Sequence, residues 1–341
     1  MAEQLRREGI TVESSRDWTA EQAHEAALHL LDAIQPDIII DDGASFARLA
    51  SLERPELTAN LIGVAEETTS GVRAFQQMQE AGALTYPVVA VNDSVLKTGF
   101  DNAHGTGETC VTTMQRILGE HAFDGKNVTV IGYGPVGQGF ARRIRALGAE
   151  VTICDIDPVA SLKAVFDGFA AQDIDEALPC ADMVVSATGV RHTVTLEHMR
   201  AMHEGAALAV IGGIANEIAL DEVSDFTPQV NRDTVQLNVP DGPTLTLIAD
   251  GDGVNYTVGG GNPIEIMDLS FAVQASAVAY LLEHRGTLDH TLIRLDAATD
   301  QRIAASALKA RGYRASHAVE DNGYNWRLTR FAENDRENAD R

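Results

Sequence analysis

The chain has 341 residues, 45% hydrophobic and 22% charged, which suits two globular units with cores of their own. Its 26 basic and 50 acidic side chains leave a net charge of −24, a surface that repels nucleic acid and anionic membranes and argues against both as partners. Cys110, Cys154 and Cys180 are odd in number and lack metal-ligand spacing, so a disulfide framework and a metal centre are disfavoured and a reduced cytoplasm is the expected compartment. No apolar run approaches a membrane span, and the N-terminus lacks a signal-peptide core.

In chain order, residues 17–34 carry apolar side chains at helical spacing (Ala23, Ala26, Ala27, Leu30, Leu31, Ile34) behind a capping pair, Thr19 and Gln22. Pro36 ends that helix. A buried strand then runs to Asp41 and Asp42, a second from Leu61 to Glu66 and Glu67, and a third over Val88–Val91 to Asn92 and Asp93, with a helix over residues 71–81 between the last two. In open α/β sheets ligands bind beyond the carboxyl ends of the strands, so three polar strand ends in series predict a site. Directly after the third strand, Lys97 and Asp101 lie four residues apart, on one face if the segment is helical. That stretch, Asn92–Asn102, runs into Gly105-Thr106-Gly107 and a connecting helix over residues 106–119.

The strand Val128–Ile131 enters Gly132-Tyr133-Gly134-Pro135-Val136-Gly137, followed by a helix and then by Val151–Cys154 as the next strand. This is the context a dinucleotide fingerprint requires. Gly132 allows the tight turn, Gly134 lets backbone approach the pyrophosphate, and Gly137 permits close helix–strand packing. Asp155, about 20 residues on, suits a ribose 2′-hydroxyl and repels a 2′-phosphate, so NAD is expected rather than NADP. Further strands are expected at Met183–Ala187 and Ala207–Ile211, with weaker β signals at 229–230, 234–239 and 244–249. A long apolar helix over residues 264–284 returns to the first unit, and Phe331–Arg341 is expected to fray.

These segments together resemble the S-adenosylhomocysteine hydrolase family from about Asp37 to about His284. The matching pieces are Ile40–Gly43, Glu66–Val72, Val91–Lys97, Phe100–Asn102, Gly132–Gly137, Asp155–Pro158 and Pro228–Val230. The resemblance implies an α/β fold with a Rossmann-type NAD-binding domain (105–261) inserted in a discontinuous substrate domain (1–104 and 262–290), followed by a C-terminal extension (291–341). It implies NAD as a redox catalyst that oxidises the 3′-hydroxyl of a nucleoside and acidifies C4′–H. The 5′ substituent then leaves, water adds, and the ketone is reduced again. Carried over by position, Lys97 and Asp101 surround the 3′-hydroxyl, Asp42 sits near C4′ and C5′, and Glu67 near the ribose hydroxyls. Thr68, Thr69, Ser70, Asn102, Val136, Asp155, Ile156, Thr188, Ile211, Gly212 and Asn255 join the three fingerprint glycines at cofactor positions. A homo-oligomer, dimer or tetramer, is also implied.

The departures from the family pattern fall around the leaving group. The family's N-terminal layer, with its histidine, has no counterpart, and neither has its Lys/Tyr tail. Gly213 and Asn262 stand where the family has histidines, and Thr106 where it has a cysteine. His104 is the candidate to take over proton relay, set against its reading as a structural or exposed histidine. The expected net reaction is therefore elimination to a 4′,5′-unsaturated nucleoside, as a lyase or dehydratase. The alternatives are hydrolysis of a 5′-thio-nucleoside and, third, an inactive NAD-binding regulator.

Overall fold

The computed structural model describes residues 2–15, 18–214, 216–224, 226–228 and 232–317. The β signals at 229–230, the end of the Pro228–Val230 match and the frayed tail lie outside these residues.

The strands are β1 Ile38–Asp41, β2 Gly63–Glu66, β3 Val88–Ala90, β4 Asn127–Ile131, β5 Glu150–Cys154 and β6 Ala170–Ala171. After them come β7 Met183–Ser186, β8 Ala207–Val210, β9 Thr234–Asn238, β10 Thr244–Ile248 and β11 Leu292–Ile293. They form two sheets, β1-β2-β3-β11 and β6-β5-β4-β7-β8-β10-β9. All pairings are parallel except that of β9 with β10. The second sheet has a Rossmann-type order and is inserted in the α/β unit built on the first. Its strand order reverses at β4, with β5 on one side and β7 on the other, which opens a crevice where the glycine-rich turn leaves β4.

The expected capping box holds: Gln22 N donates to Thr19 Oγ1, and Thr19 N donates back to Gln22 Oε1 at 2.9 Å. That cap starts the helix Ala20–Ile34. In the first sheet the register sets Asp41 beside Glu66 and Glu66 beside Ala90, so the three strands end along one edge. Val64, Phe75, Tyr86 and Val88 fill one face of this sheet. Ala65, Val89, Val273, Ala277 and Leu281 fill the other. The helix supplying the last three, Ile264–Glu283, is long and apolar enough to cross a membrane by length and composition, against expectation. One face of it packs on β2 and on the helix Ala297–Ala310, while Ile264, Phe271 and Leu282 stay exposed. Sequence reading also missed β11, which pairs with β3 and draws the chain after residue 290 into the first sheet.

The two units meet at the segment Lys97–Thr106, which is a π-helix and continues into the helix Gly107–Leu118. The fingerprint helix Pro135–Ala146 crosses it so closely that a Cβ on Gly139 would lie 2.0 Å from Ala103 O. Only glycine fits that crossing.

Candidate active site

Lys97 and Asp101 are 5% and 4% exposed, so this pair is buried rather than a solvated surface pair. Lys97 Nζ donates to Asp101 Oδ2 at 2.5 Å and to Asn102 Oδ1 at 2.8 Å, and lies 3.8 Å from Glu67 Oε1. The π-turn explains why both neighbours reach one ammonium. Its i→i+5 closure is wider than an α-turn and brings the fourth and fifth residues onward to the first; such turns recur at functional sites. The same geometry favours the exposed reading of His104 over the relay. In an α-helix, seven residues return a side chain to the starting face, whereas the wider turn carries His104 away. It is exposed, its Nδ1 pairs with the Arg143 guanidinium at 3.1 Å, and its ring tilts against Phe100. It does not join the cluster.

Glu67 is buried at the end of β2. Ser270 on the long helix donates to its Oε1, while its Oε2 has no protein partner. Burial raises the Glu67 carboxyl above its ordinary value; Lys97 and Ser270 oppose the shift, and Asp101 and Asp42 add to it. Asp42 stands exposed just beyond β1. The surrounding protein raises its carboxyl too, against the pull of Lys97. A buried orphan oxygen of Glu67, beside one lysine and two further carboxylates, is set to hold and move protons on a polar ligand.

Asp41 and Glu66, two further strand-end acids, have structural tasks. Asp41 accepts backbone N–H bonds from Asp42, Phe46 and Ala47. Glu66 is fully buried and accepts from Gly43 N, Ala44 N, Thr68 N and Thr68 Oγ1 at 2.7–3.0 Å, tying the loop after β1 to the loop after β2. Burial nevertheless pushes its carboxyl up to about 7. This has a sign that can be tested. Below 4.5, the ordinary value, Glu66 is protonated folded or unfolded and its contribution to stability is complete. As the pH rises towards 7 the unfolded chain ionises first, and that contribution drains away, by at most about 3 kcal/mol. Denaturant melts of wild type and Glu66→Gln are expected to diverge across this window, with only the wild type weakening. Parallel curves would refute the assignment.

Thr68 is consumed by Glu66 and by capping the helix Thr69–Glu80, where its Oγ1 also accepts from Gly71 N. Ser70 Oγ lies 3.2 Å from Thr68 Oγ1. Thr69 donates to Asn92 Oδ1 at 3.0 Å, and Asn102 Nδ2 reaches the same oxygen at 3.4 Å. Asn92 thus braces both the β2 loop and the π-turn, a role sequence reading did not assign. From the first unit Arg73 donates to Thr188 O at 3.0 Å, a bond across to the NAD-binding unit.

On the Rossmann side the residues fit a dinucleotide. A Cβ on Gly137 would lie 2.0 Å from Gly132 O, whereas one on Gly134 would enter open space. The helix that starts at Pro135 has no side-chain cap, so its first N–H groups are free for a phosphate, and Val136 and Gly137 lie in that first turn. Asp155 is half-buried and accepts from Tyr133 N at 2.6 Å and Asp157 N at 2.9 Å, which aims its carboxylate across the turn. The neighbouring Ile156 is fully exposed. Ile211 and Gly212 follow β8, and a Cβ on Gly212 would strike Thr106 at 2.3 Å. Asn255 is buried with its Oδ1 unpartnered, a vacant acceptor that suits a carboxamide N–H.

Two buried anchors escaped the sequence. Ser270 had a faint signal, a lone hydroxyl on the core side of an apolar helix. Glu217 had none. It is fully buried and accepts from Ser186 Oγ at 2.5 Å, from Thr188 N and Oγ1, from Gly189 N and from Ile214 N. It thereby joins the loops after β7 and β8. A Cβ on Gly213 would lie 1.6 Å from Glu217 Oε1, so the glycine leaves the carboxylate its space.

The family model described as S-adenosyl-L-homocysteine hydrolase, NAD binding domain, matches residues 102–261. An adenosylhomocysteinase of Thermotoga maritima is 38% identical over 323 residues, covering 94% of this chain and 80% of that protein. The S-inosyl-L-homocysteine hydrolase of Methanopyrus kandleri is 36% identical over 316 residues, covering 92% and 74%. Among solved structures, a glyoxylate reductase from Paecilomyes thermophila superposes with a TM-score of 0.46 at 16% identity, over 83% of this chain and 92% of that one; that likeness is too loose to bear on the reaction. A Rossmann-type unit set against a buried lysine and its carboxylates defines the class, an NAD-dependent enzyme. Within it, the chain belongs to the adenosylhomocysteinase family, and its cofactor is NAD.

Proposed function

We propose that this enzyme hydrolyses a nucleoside 5′-thioether of the S-adenosylhomocysteine type through transient oxidation at the ribose 3′ carbon. One observation carries it: the buried Lys97 ammonium is held by Asp101 and Asn102 beside the unpaired Glu67 Oε2. When bound, NAD supplies the hydride acceptor for C3′. Lys97, once it has passed an ammonium proton to Asp101 Oδ2, takes the proton of the 3′-hydroxyl, and Glu67 Oε2 accepts a hydrogen bond from a ribose hydroxyl. Asp42, at the open edge, faces the C4′–C5′ end, where a proton and the thiol leave and water then adds across the same bond before C3′ is reduced again. Burial of the cluster keeps water from competing for these bonds. The relatives, an adenosylhomocysteinase and an S-inosyl-L-homocysteine hydrolase, support hydrolysis over the net elimination that the sequence put first. Elimination without water addition stays as the second reading, because Gly213 carries no side chain and Asn262 does not titrate. The exposed Ile264, Phe271 and Leu282 of the long helix support the expected homo-oligomer.

One experiment separates the two reactions. Purified protein is incubated with S-adenosyl- and S-inosylhomocysteine in water labelled with heavy oxygen, and products are weighed by mass spectrometry. The expected result is free thiol and a nucleoside with the label in its 5′-hydroxyl. An unsaturated nucleoside without label would establish the lyase, and an unchanged thioether would exclude both.

A further inference from the structure

The strand-end acids and the lysine leave one polar side chain of the cleft without a task. Asn262 precedes the long helix, and its amide reaches both halves of the molecule. Its Nδ2 donates to Asp101 Oδ1 and, at 3.0 Å, to Thr106 Oγ1. Its Oδ1 accepts from Asn255 Nδ2 at 3.2 Å and from Thr109 Oγ1 at 3.0 Å. Gly105 makes room for it, since a Cβ there would come within 2.8 Å of Asn262 Nδ2.

The direction of this chain is not free. An ionised carboxylate only accepts, so the face of Asn262 towards Asp101 must be its NH₂ end. Its oxygen then points at Asn255, which must answer with its own NH₂ end. What remains on Asn255 is a bare oxygen, Oδ1, buried and unpartnered. We propose that Asn262 is a positioning residue that transmits the polarity of Asp101 to Asn255, so that Asn255 presents an acceptor, not a donor, to the carboxamide of the bound dinucleotide. The inference rests on the proposed reaction in taking Asp101 as the carboxylate that works with Lys97. The NAD-binding unit is thereby told which way to hold the nicotinamide by the group that handles the proton. A histidine at this position could carry a proton of its own, whereas the asparagine amide keeps one polarity across the pH range.

The test measures binding, not turnover. Cofactor-stripped protein is titrated calorimetrically with NAD and with its acetylpyridine analogue, in which the carboxamide NH₂ is a methyl group and cannot donate. The wild type is expected to prefer NAD by about tenfold, the worth of one buried hydrogen bond. Asn262→Ala is expected to bring the preference within about twofold, because Asn255 is then free to turn. Asn262→Asp still offers Asn255 an acceptor and is expected to keep the preference while its turnover falls, since a second carboxylate now faces Asp101. Should the alanine variant fail to fold, the aspartate variant carries the test. A wild type indifferent to the analogue, an alanine variant with wild-type preference, or an aspartate variant that loses it would each overturn the proposal. If the wild type cleaves no nucleoside thioether, the proposed reaction falls while the binding preference stands.

Discussion

Lys97→Met is expected to lower turnover by about 10²–10⁴-fold, the usual range for loss of a positioned proton-transfer group, while NAD still binds. The same change should weaken the fold. Lys97 is the cation that faces Glu67 and Asp101, both buried, and removing one partner of a buried pair costs about 3–5 kcal/mol. Part of that loss is avoidable, since Glu67 already sits above its ordinary value and can take a proton in compensation. The variant is therefore expected to recover stability on acidification relative to wild type. Stopped-flow turnover, NAD titration and denaturant melts at two pH values check the three parts. A variant that turns over within tenfold of wild type would remove Lys97 from the chemistry.

The second large effect is expected at the glycine-rich turn, where two substitutions of equal size should behave differently. In Gly137→Ala the new methyl meets Gly132 O at 2.0 Å. A backbone oxygen cannot swing aside as a side chain can, so the turn must move. Overpacking of this kind costs about 1–3 kcal/mol, and NAD affinity should drop by about tenfold or more. Gly134→Ala meets nothing within 4 Å and should melt like wild type. Its methyl enters the open space over the turn, however, so NAD affinity should fall there too. Calorimetry on both variants decides it: a Gly134→Ala protein with wild-type affinity would mean that the pyrophosphate does not run over Gly134.

The sequence was most readable where chemistry is local. A capping box, three strands ending in acids and a glycine fingerprint between strand and helix each declare themselves within a dozen residues, and each lies in the structure where expected. The grouping of Lys97, Asp101 and Asn102 was also legible, because they are close in the chain. What could not be read depends on contacts between distant segments or on fine backbone geometry. Nothing local distinguishes a π-turn from an α-turn at Lys97–Thr106, and that difference alone sends His104 to the surface. Ser270 and Glu67 meet from opposite ends of the first unit, and Asn262 reaches Asp101 from the far side of the inserted one. The strand β11 is two residues long, too short for periodicity to reveal. Of the strand-end acids, the sequence could not tell that Asp41 and Glu66 serve the loops while Asp42 and Glu67 face the cleft; that division follows from which backbone N–H groups lie within reach.

The central claim is that thioether cleavage passes through oxidation of the 3′ carbon under the control of Lys97. The most direct test mixes the NAD-loaded protein rapidly with a nucleoside thioether and with its 3′-deoxy analogue, following the near-ultraviolet absorbance of reduced nicotinamide alongside thiol release. With the 3′-hydroxyl present, absorbance should rise before thiol appears and fall as product forms. The deoxy analogue should give neither signal, and Lys97→Met should give neither with the full substrate. Release of thiol from the deoxy analogue, or from the full substrate with no rise in absorbance, would contradict the account.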